Sequence, residues 1–315
     1  MPKVSVVILN WNTANETAKS LQSLDRQTFR DFEVVLVDNG STEEDYKNLK
    51  KIAYKSRSKI RVLRIEKNIG LSGGANLGVR NSKGDYILFM NNDATGNTDF
   101  IEKLLVPFSK YDGVGATVSK VFFDRPGIRG LVQYAGGELT FYGKAAHIGT
   151  GMKDVPEYNK EKETQWAFGV SLMVKKEVLK KLGEVFPAAF YTYFEDVDLS
   201  WRIRSSGYRI IYTPSSVVYH IGSKTMEVNS SISNQDRLSF RNKYLCFWRN
   251  LPQIEFFSVL PFMIVYDLLR IVKNILMMGR VSFATAYIFG LLDFISLQKK
   301  VSAPRKGSLE NFRKF

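Results

Sequence analysis

Apolar residues fall along this chain in short dense runs separated by polar stretches. VSVVILNW (4–11) is apolar almost throughout, the pattern of a strand covered on both faces, and Thr13-x-x-Glu16 behind it fits a capping box opening a helix through Leu21 and Leu24. FEVVLVDNGS (32–41) repeats the strand pattern and ends in Asp38, Asn39 and Gly40. The charged segment 43–59 reads as a solvated helix, IRVLRIE (60–66) as a third strand, GLSGGANLGVRNSKG (70–84) as a glycine-rich loop entering a helix, and DYILFMNNDAT (85–95) as a fourth strand. This alternation predicts an α/β protein with a mainly parallel, doubly wound sheet. Ligands of such sheets sit beyond the carboxyl ends of the strands, where Asn10, Asn12, Asp38, Asn39, Asn68, Gly70, Gly73, Asn91, Asn92 and Asp93 all stand.

Residues 122–165, rich in glycine and aromatics, read as a β-hairpin excursion followed by a flexible stretch, and WAFGVSLMVKKEVLKKLG (166–183) as a buried strand and helix. YTYFEDVDLSWRIRSSGYRI (191–210) then crowds Glu195, Asp196 and Asp198 at the start of a helix. Acidic residues in a first turn are favoured by its unpaired N–H groups, and a carboxylate facing a cleft can equally serve as a general base. Asp198 and Arg202, four apart on that helix, read as a structural ion pair, and Trp201 and Ile203 as packing.

Beyond about residue 225 the pattern changes. Residues 256–300 hold two apolar stretches, but Asp267, Arg270, Lys273, Arg280 and Asp293 interrupt them short of the ~20 residues that span a bilayer. Dense Phe, Leu, Ile and Met with interspersed Lys and Arg, followed by the basic tail KKVSAPRKGSLENFRKF, suits helices lying in a membrane interface; the alternative is a helical appendage packed on protein, either the same chain or a homo-oligomer partner.

Composition narrows the choice. With 315 residues, 44% of them hydrophobic, the chain can bury a sizeable core. Its net charge of +14 calls for an acidic partner, and the anionic membrane surface is preferred to nucleic acid because no zinc-ligand cluster, base-reading helix or RNP-like strand is visible. The single cysteine, Cys246, excludes an intramolecular disulfide and reads as buried packing; with no signal-peptide pattern in MPKVSVVILNWN, the expected location is cytoplasmic, peripheral on the inner face of the cell membrane.

VSVVILNWN, VLVDNGST, EKNIGLSGGANLG, YILFMNNDA and YFEDVDLSWRIRSSGYRI follow one another as do the motifs of family 2 glycosyltransferases of GT-A fold, and the chain most resembles their rhamnosyltransferase-like branch over roughly residues 3–225. GLSGGANLG is neither the G-x-G-x-x-G of a dinucleotide fold nor a G-x-x-x-x-G-K-[ST] phosphate loop; its glycines either let backbone approach a phosphate or let helix and sheet pack. The resemblance implies a GT-A domain at 1–225, with 226–315 as a hydrophobic helical tail. It further implies an inverting transfer from a nucleoside-diphosphate sugar, dTDP-rhamnose by preference and a UDP- or GDP-sugar otherwise, to a glycan or lipid-linked acceptor.

By the same resemblance Asp38 binds the base or ribose, the other strand-end residues complete the donor site, and Asp93 ligates a divalent cation, Mn2+ or Mg2+. The family's D-x-D motif reads Asn91-Asn92-Asp93 here, so one carboxylate stands where many relatives have two, and His220 is the expected second ligand. Asp196 becomes the general base, Glu195 an acceptor-binding or capping residue, and Trp166 a sugar-stacking platform or a core residue. His147 keeps a structural role. A nucleotidyltransferase is disfavoured because NWNTANET has no glycine or basic residue for a phosphate loop, whereas a non-catalytic nucleotide-sugar or carbohydrate-binding protein would keep Asp38 and have no need of Asp196.

Overall fold

Residues 1–222, 232–301 and 308 are described by a computed structural model of the chain. The apolar runs form β1 (Val4–Asn10), β2 (Phe32–Asn39), β3 (Ile60–Ile65) and β4 (Tyr86–Met90), paired in parallel in the order 3-2-1-4. Helices α1 (Ala14–Asp25), α2 (Glu43–Lys55) and α3 (Gly70–Arg80) make the crossovers, so that every residue of β2 is buried.

Two local expectations are corrected. The Thr13–Glu16 capping box does not form: Thr13 makes no side-chain cap bond, its hydroxyl accepts from Asn92 (2.7 Å), and the Ala14 N–H is satisfied by Asp45 from the first turn of α2 (3.0 Å). The glycine-rich segment is not a loop, because α3 begins at Gly70 itself. A Cβ on Gly74 would lie 2.5 Å from Leu9, and one on Gly78 2.4 Å from Val7, so these glycines serve the close approach of helix to sheet.

The fourth apolar run breaks after Met90. Residues 91–93 form a turn closed by Ala94 N–H to Asn91 O, and β5 (Ala94–Gly96) leaves to pair elsewhere. After α4 (Phe100–Lys110), β6 (Val114–Phe123) carries the sheet onward, with β7 (Val132–Tyr134) on it and β8 (Gly137–Leu139) and β9 (Ala145–His147) forming the expected hairpin. Beyond β10 (Lys162–Glu163), β11 (Ser171–Lys175) inserts antiparallel between β4 and β6. Helices α5 (Lys176–Leu182) and α6 (Glu195–Ser205) lead to β12 (Arg209–His220), which runs parallel to β6 and also pairs with β5 and β10.

Three helices follow: α7 (Ile232–Asn250), α8 (Gln253–Met278) and α9 (Ser282–Leu297). Tyr244, Leu245, Cys246 and Phe247 of α7 are fully buried in the same core as the sheet, with Phe247 edge-on to Trp201 of α6. The expected boundary at 225 falls within 223–231, and most of the basic tail within 302–307 and 309–315, outside the described residues.

Of the charges that interrupt the apolar stretches, Asp267, Arg280 and Asp293 are paired and Lys273 is exposed. Asp267 is buried against Lys243 and Tyr244, Asp293 takes a two-pronged bond from Arg237 (2.7 and 2.8 Å), and Arg280 pairs with Asp236 (2.7 Å). Outward, α8 shows Ile254, Phe257, Val265, Leu269 and Leu276, all more than half exposed, and α9 continues the face with Leu292 and Ile295. Among the described residues no helix is long and apolar enough to cross a membrane.

Candidate active site

Parallel register sets the strand-end residues side by side: Asn10 opposite Asp38, and Asp38 opposite Arg64. Asp38 is fully buried and accepts from Asn10 through Oδ1 (3.2 Å); its Oδ2 has no hydrogen-bond partner and lies 3.8 Å from Arg64 Nε. Arg64 stacks over Tyr46 and bonds Glu43 (2.7 Å). A buried carboxylate oxygen left without a donor is costly unless a ligand supplies one, which suits a base or sugar N–H or O–H.

The asparagines around it mostly hold the scaffold. Asn10 Nδ2 is shared among Asp38, Ser41 and Asp45, while Asn12, at φ 54°, joins the β1–α1 and β2–α2 loops through Ser41 and Thr42. Asn39 donates to Asn68 and to Gly70 O, and Asn92 donates to Thr13 and Thr17. Gly73 sits inside α3, where a Cβ would press on Ile69, rather than on an open phosphate loop. Gly70, at φ +77°, lets the chain turn beneath Tyr191, whose ring would lie 2.4 Å from a Cβ there.

The turn after β4 meets the end of β12. His220 Nε2 lies 3.1 Å from Asp93 Oδ1 and 3.2 Å from Asn91 Nδ2, with both Asp93 and His220 less than a tenth exposed. Burial pushes the Asp93 carboxyl up, but the neighbouring His220 and the N–H groups of Asp93 and Gly222 outweigh it and hold the group below its ordinary value. The opposite ring nitrogen of His220 faces Gln133 Oε1 at 2.9 Å. An imidazole pinned at Nδ1 beside a buried carboxylate is a fitting donor pair for a divalent cation, although no cluster of three His, Cys, Asp or Glu side chains occurs among the described residues. Gln133 was not identified from sequence: it lies 87 positions from His220, and no local pattern marks it. If Asp93 and His220 hold a divalent cation, Gln133→Ala should weaken its binding about 10-fold or more, read by titration calorimetry with Mn2+.

Segment 167–170 joins this end of the site to the acidic cluster. Val170 O accepts from Asn91 N–H (3.1 Å), and Gly169 N–H donates to Asp196 Oδ2 (3.0 Å). Asp196 Oδ1 takes the Val197 N–H (2.8 Å), so this carboxylate does cap its own helix while staying partly open. Burial raises both Glu195 and Asp196, and the charge of Asp196 raises Glu195 further; Glu195 Oε2 is buried without a hydrogen-bond partner. Burial thus favours the uncharged form of both carboxyls, and the neighbouring Asp196 charge adds to that only for Glu195. Asp198 points the other way, to Arg202 (2.8 Å), Asn250 (2.8 Å) and Arg249 (3.3 Å), the structural role expected.

Two aromatic readings are resolved by packing. Trp166 is 3% exposed, hydrogen-bonded to Glu138 O and enclosed by Tyr134, His147 and Phe168, so its ring offers no open face for stacking on a sugar. His147 is pushed down to about 4 by burial and bonds Gln133 O, a core histidine as expected.

Residues 5–183 match the model of glycosyl transferase family 2. The chain belongs to that family. An uncharacterized protein, y4gI, of Sinorhizobium fredii is 26% identical over 231 residues, 70% of this family 2 chain but 24% of the relative. Glycosyltransferase GlyA of Streptococcus pneumoniae is 33% identical over 110 residues, 35% of this chain and 15% of GlyA, so the chain spans only a fraction of these curated relatives. Among solved structures, S. aureus TarS in complex with UDP-GlcNAc superposes with a TM-score of 0.62 at 16% identity, over 93% of this chain and 81% of that one. A mannosyltransferase of Pyrobaculum calidifontis with GDP-Man and Mn2+ gives 0.58 at 17%, over 96% and 77%. At these identities the likeness establishes the GT-A fold that the family 2 motifs implied.

Proposed function

We propose that the chain is an inverting glycosyltransferase that moves a sugar from a nucleoside-diphosphate sugar to a hydroxyl of a glycan or lipid-linked acceptor. The observation that carries this reading is Asp196, an anion with a burial-raised carboxyl, tied through segment 167–170 to the turn that holds Asn91 and Asp93. In the reaction the acceptor oxygen forms its bond to C1 as Asp196 takes the hydroxyl proton, and the C1–O bond to the diphosphate breaks with its electron pair leaving on phosphate. Asp93 and His220 would hold a divalent cation, Mn2+ or Mg2+, which would supply Lewis-acid stabilisation of the diphosphate charge. Asp38 and the strand-end loops hold the nucleoside, Glu195 stands beside Asp196 on the acceptor side, and burial raises the proton affinity of Asp196, which suits it to take the hydroxyl proton.

A non-catalytic sugar-nucleotide binder has no use for a carboxylate kept basic in this way. The rhamnosyltransferase-like motifs favour dTDP-rhamnose, while TarS and the Pyrobaculum enzyme were seen with UDP-GlcNAc and GDP-Man. Calorimetric titration with UDP, dTDP and GDP, each with and without Mn2+, tests the donor class. One nucleotide should bind more tightly when Mn2+ is present, and binding of none would overturn the proposal.

The outward face of α8 and α9 supports an interfacial, cytoplasmic-side location with access to a lipid-linked acceptor. Its large exposed residues are apolar, Asp267, Arg280 and Asp293 are paired, and Lys273, Lys299 and Lys300 lie exposed, suiting anionic headgroups. Flotation should recover the protein with vesicles containing phosphatidylglycerol and less with neutral phosphatidylcholine alone. A protein that stays unbound and sediments as a stable dimer would assign the face to a second copy instead.

A further inference from the structure

The backbone just before the proposed base has an unusual shape. Tyr191, Tyr193 and Phe194 lie at φ 62°, 72° and 64°, in the left-handed region that side-chain-bearing residues seldom occupy, and none of them is glycine. Such a segment persists only where its surroundings hold it. On one side α3 does so, through Ser72 N–H to Tyr191 O (3.0 Å) and Tyr191 O–H to Asn68 Oδ1 (3.0 Å).

On the other side the holding group comes from α7. The two N–H groups of the fully buried Asn242 amide are shared among Phe190 O (2.8 Å from Nδ2), Thr192 O (2.7 Å) and Tyr193 O (2.8 Å), three carbonyls that the left-handed turns bring to one point. Arg241 donates from Nη2 to Ala189 O and Phe190 O (both 2.9 Å). Its Nε also donates to Asn242 Oδ1 (2.8 Å), which fixes the amide with its NH2 toward the loop. The helix that the loop then enters begins with Glu195 and Asp196.

We infer that Asn242, oriented by Arg241, is a positioning residue that holds segment 190–194 in its left-handed shape and thereby aims Asp196 at the acceptor. The C-terminal helices thus complete the active site instead of serving only as an anchor. The inference rests on Asp196 being the base. Asn242 bonds the loop at Phe190, Thr192 and Tyr193, whereas the nucleotide end meets it at Tyr191 through Asn68, so turnover should respond more than nucleotide affinity.

The test compares Asn242→Ala, Arg241→Gln and Asp196→Asn in the full chain, reading nucleotide affinity, turnover as release of the nucleoside diphosphate from its sugar nucleotide, and amide exchange. Asn242→Ala is expected to lower kcat about 10-fold or more with nucleotide affinity within about threefold, because small misplacements of a reacting group are costly. Exchange over 190–196 should quicken about 10-fold while β1 and β2 keep their protection. Arg241→Gln, which frees the amide to rotate, should give a smaller loss in the same pattern and carries the test if Asn242→Ala does not fold. Unchanged kcat and exchange, or exchange rising equally in β1 and β2, would overturn the inference. If Asp196→Asn keeps its turnover, the base assignment fails and takes this inference with it; if Asp196→Asn is inactive and Asn242→Ala is not, only the positioning role fails.

Discussion

Asp196→Asn is expected to lower turnover by roughly 10²- to 10⁴-fold, the usual contribution of a positioned base, while leaving nucleotide affinity within about twofold. The amide keeps the shape of the carboxylate but cannot take the acceptor's proton. Its neighbours also constrain pH dependence. Asp196 works as the anion, and burial raises its carboxyl above the ordinary value. Activity of the unaltered protein should therefore fall as pH drops through a value above the usual carboxylate range and recover as pH rises again. An acid limb at an ordinary carboxylate value, or a variant as active as its parent, would remove Asp196 from the role.

Asp198→Asn should act on stability instead, lowering it by about 3 kcal/mol, with little direct effect on the chemistry of the transfer. Asp198 is fully buried and is the shared acceptor for Arg202, Arg249 and Asn250. Neutralising it leaves the Arg202 guanidinium in the interior with only the Glu184 and Val185 carbonyls, whereas Arg249 retains Glu184 (3.1 Å). That second partner keeps the expected loss at the low end of the range for a broken buried pair. Urea unfolding measures it directly; a change under about 1 kcal/mol would mean that the network contributes no more than a surface pair.

Three carboxylates within four positions therefore meet three environments: Glu195 is buried with one oxygen lacking a hydrogen-bond partner, Asp196 is partly open with its carboxyl raised by burial, and Asp198 is paired structurally. Only the last assignment was legible from local spacing, because Asp198 and Arg202 are neighbours on any helix. The environments of the other two depend on Gly169 and on burial beneath segments far along the chain.

The strands were legible for a similar reason. A run such as VSVVILNW has no polar face to give to water, so burial between helix layers is required by composition alone, and parallel pairing then sets Asn10, Asp38 and the turn after β4 at one edge. Local readings failed where a distant group competed for the same atoms. Thr13 gave up its cap to Asn92, and the glycines of α3 answer to Leu9 and Val7 instead of a phosphate.

By itself the sequence determined the parallel strands β1 to β4, the polar strand ends and the family they resemble, since these follow from hydrophobic pattern and short motifs; the antiparallel insertion of β11 that makes the sheet mixed was not legible. Tertiary structure alone decided that Gln133 meets His220, that Asp267 of α8 is buried against Lys243, and that Asn242 reaches back about 50 residues to the loop before the base. Each of these rests on a few hydrogen bonds or ion pairs between segments remote in the chain. Such contacts leave no periodicity behind, because their partners are chosen by packing and not by neighbouring residues.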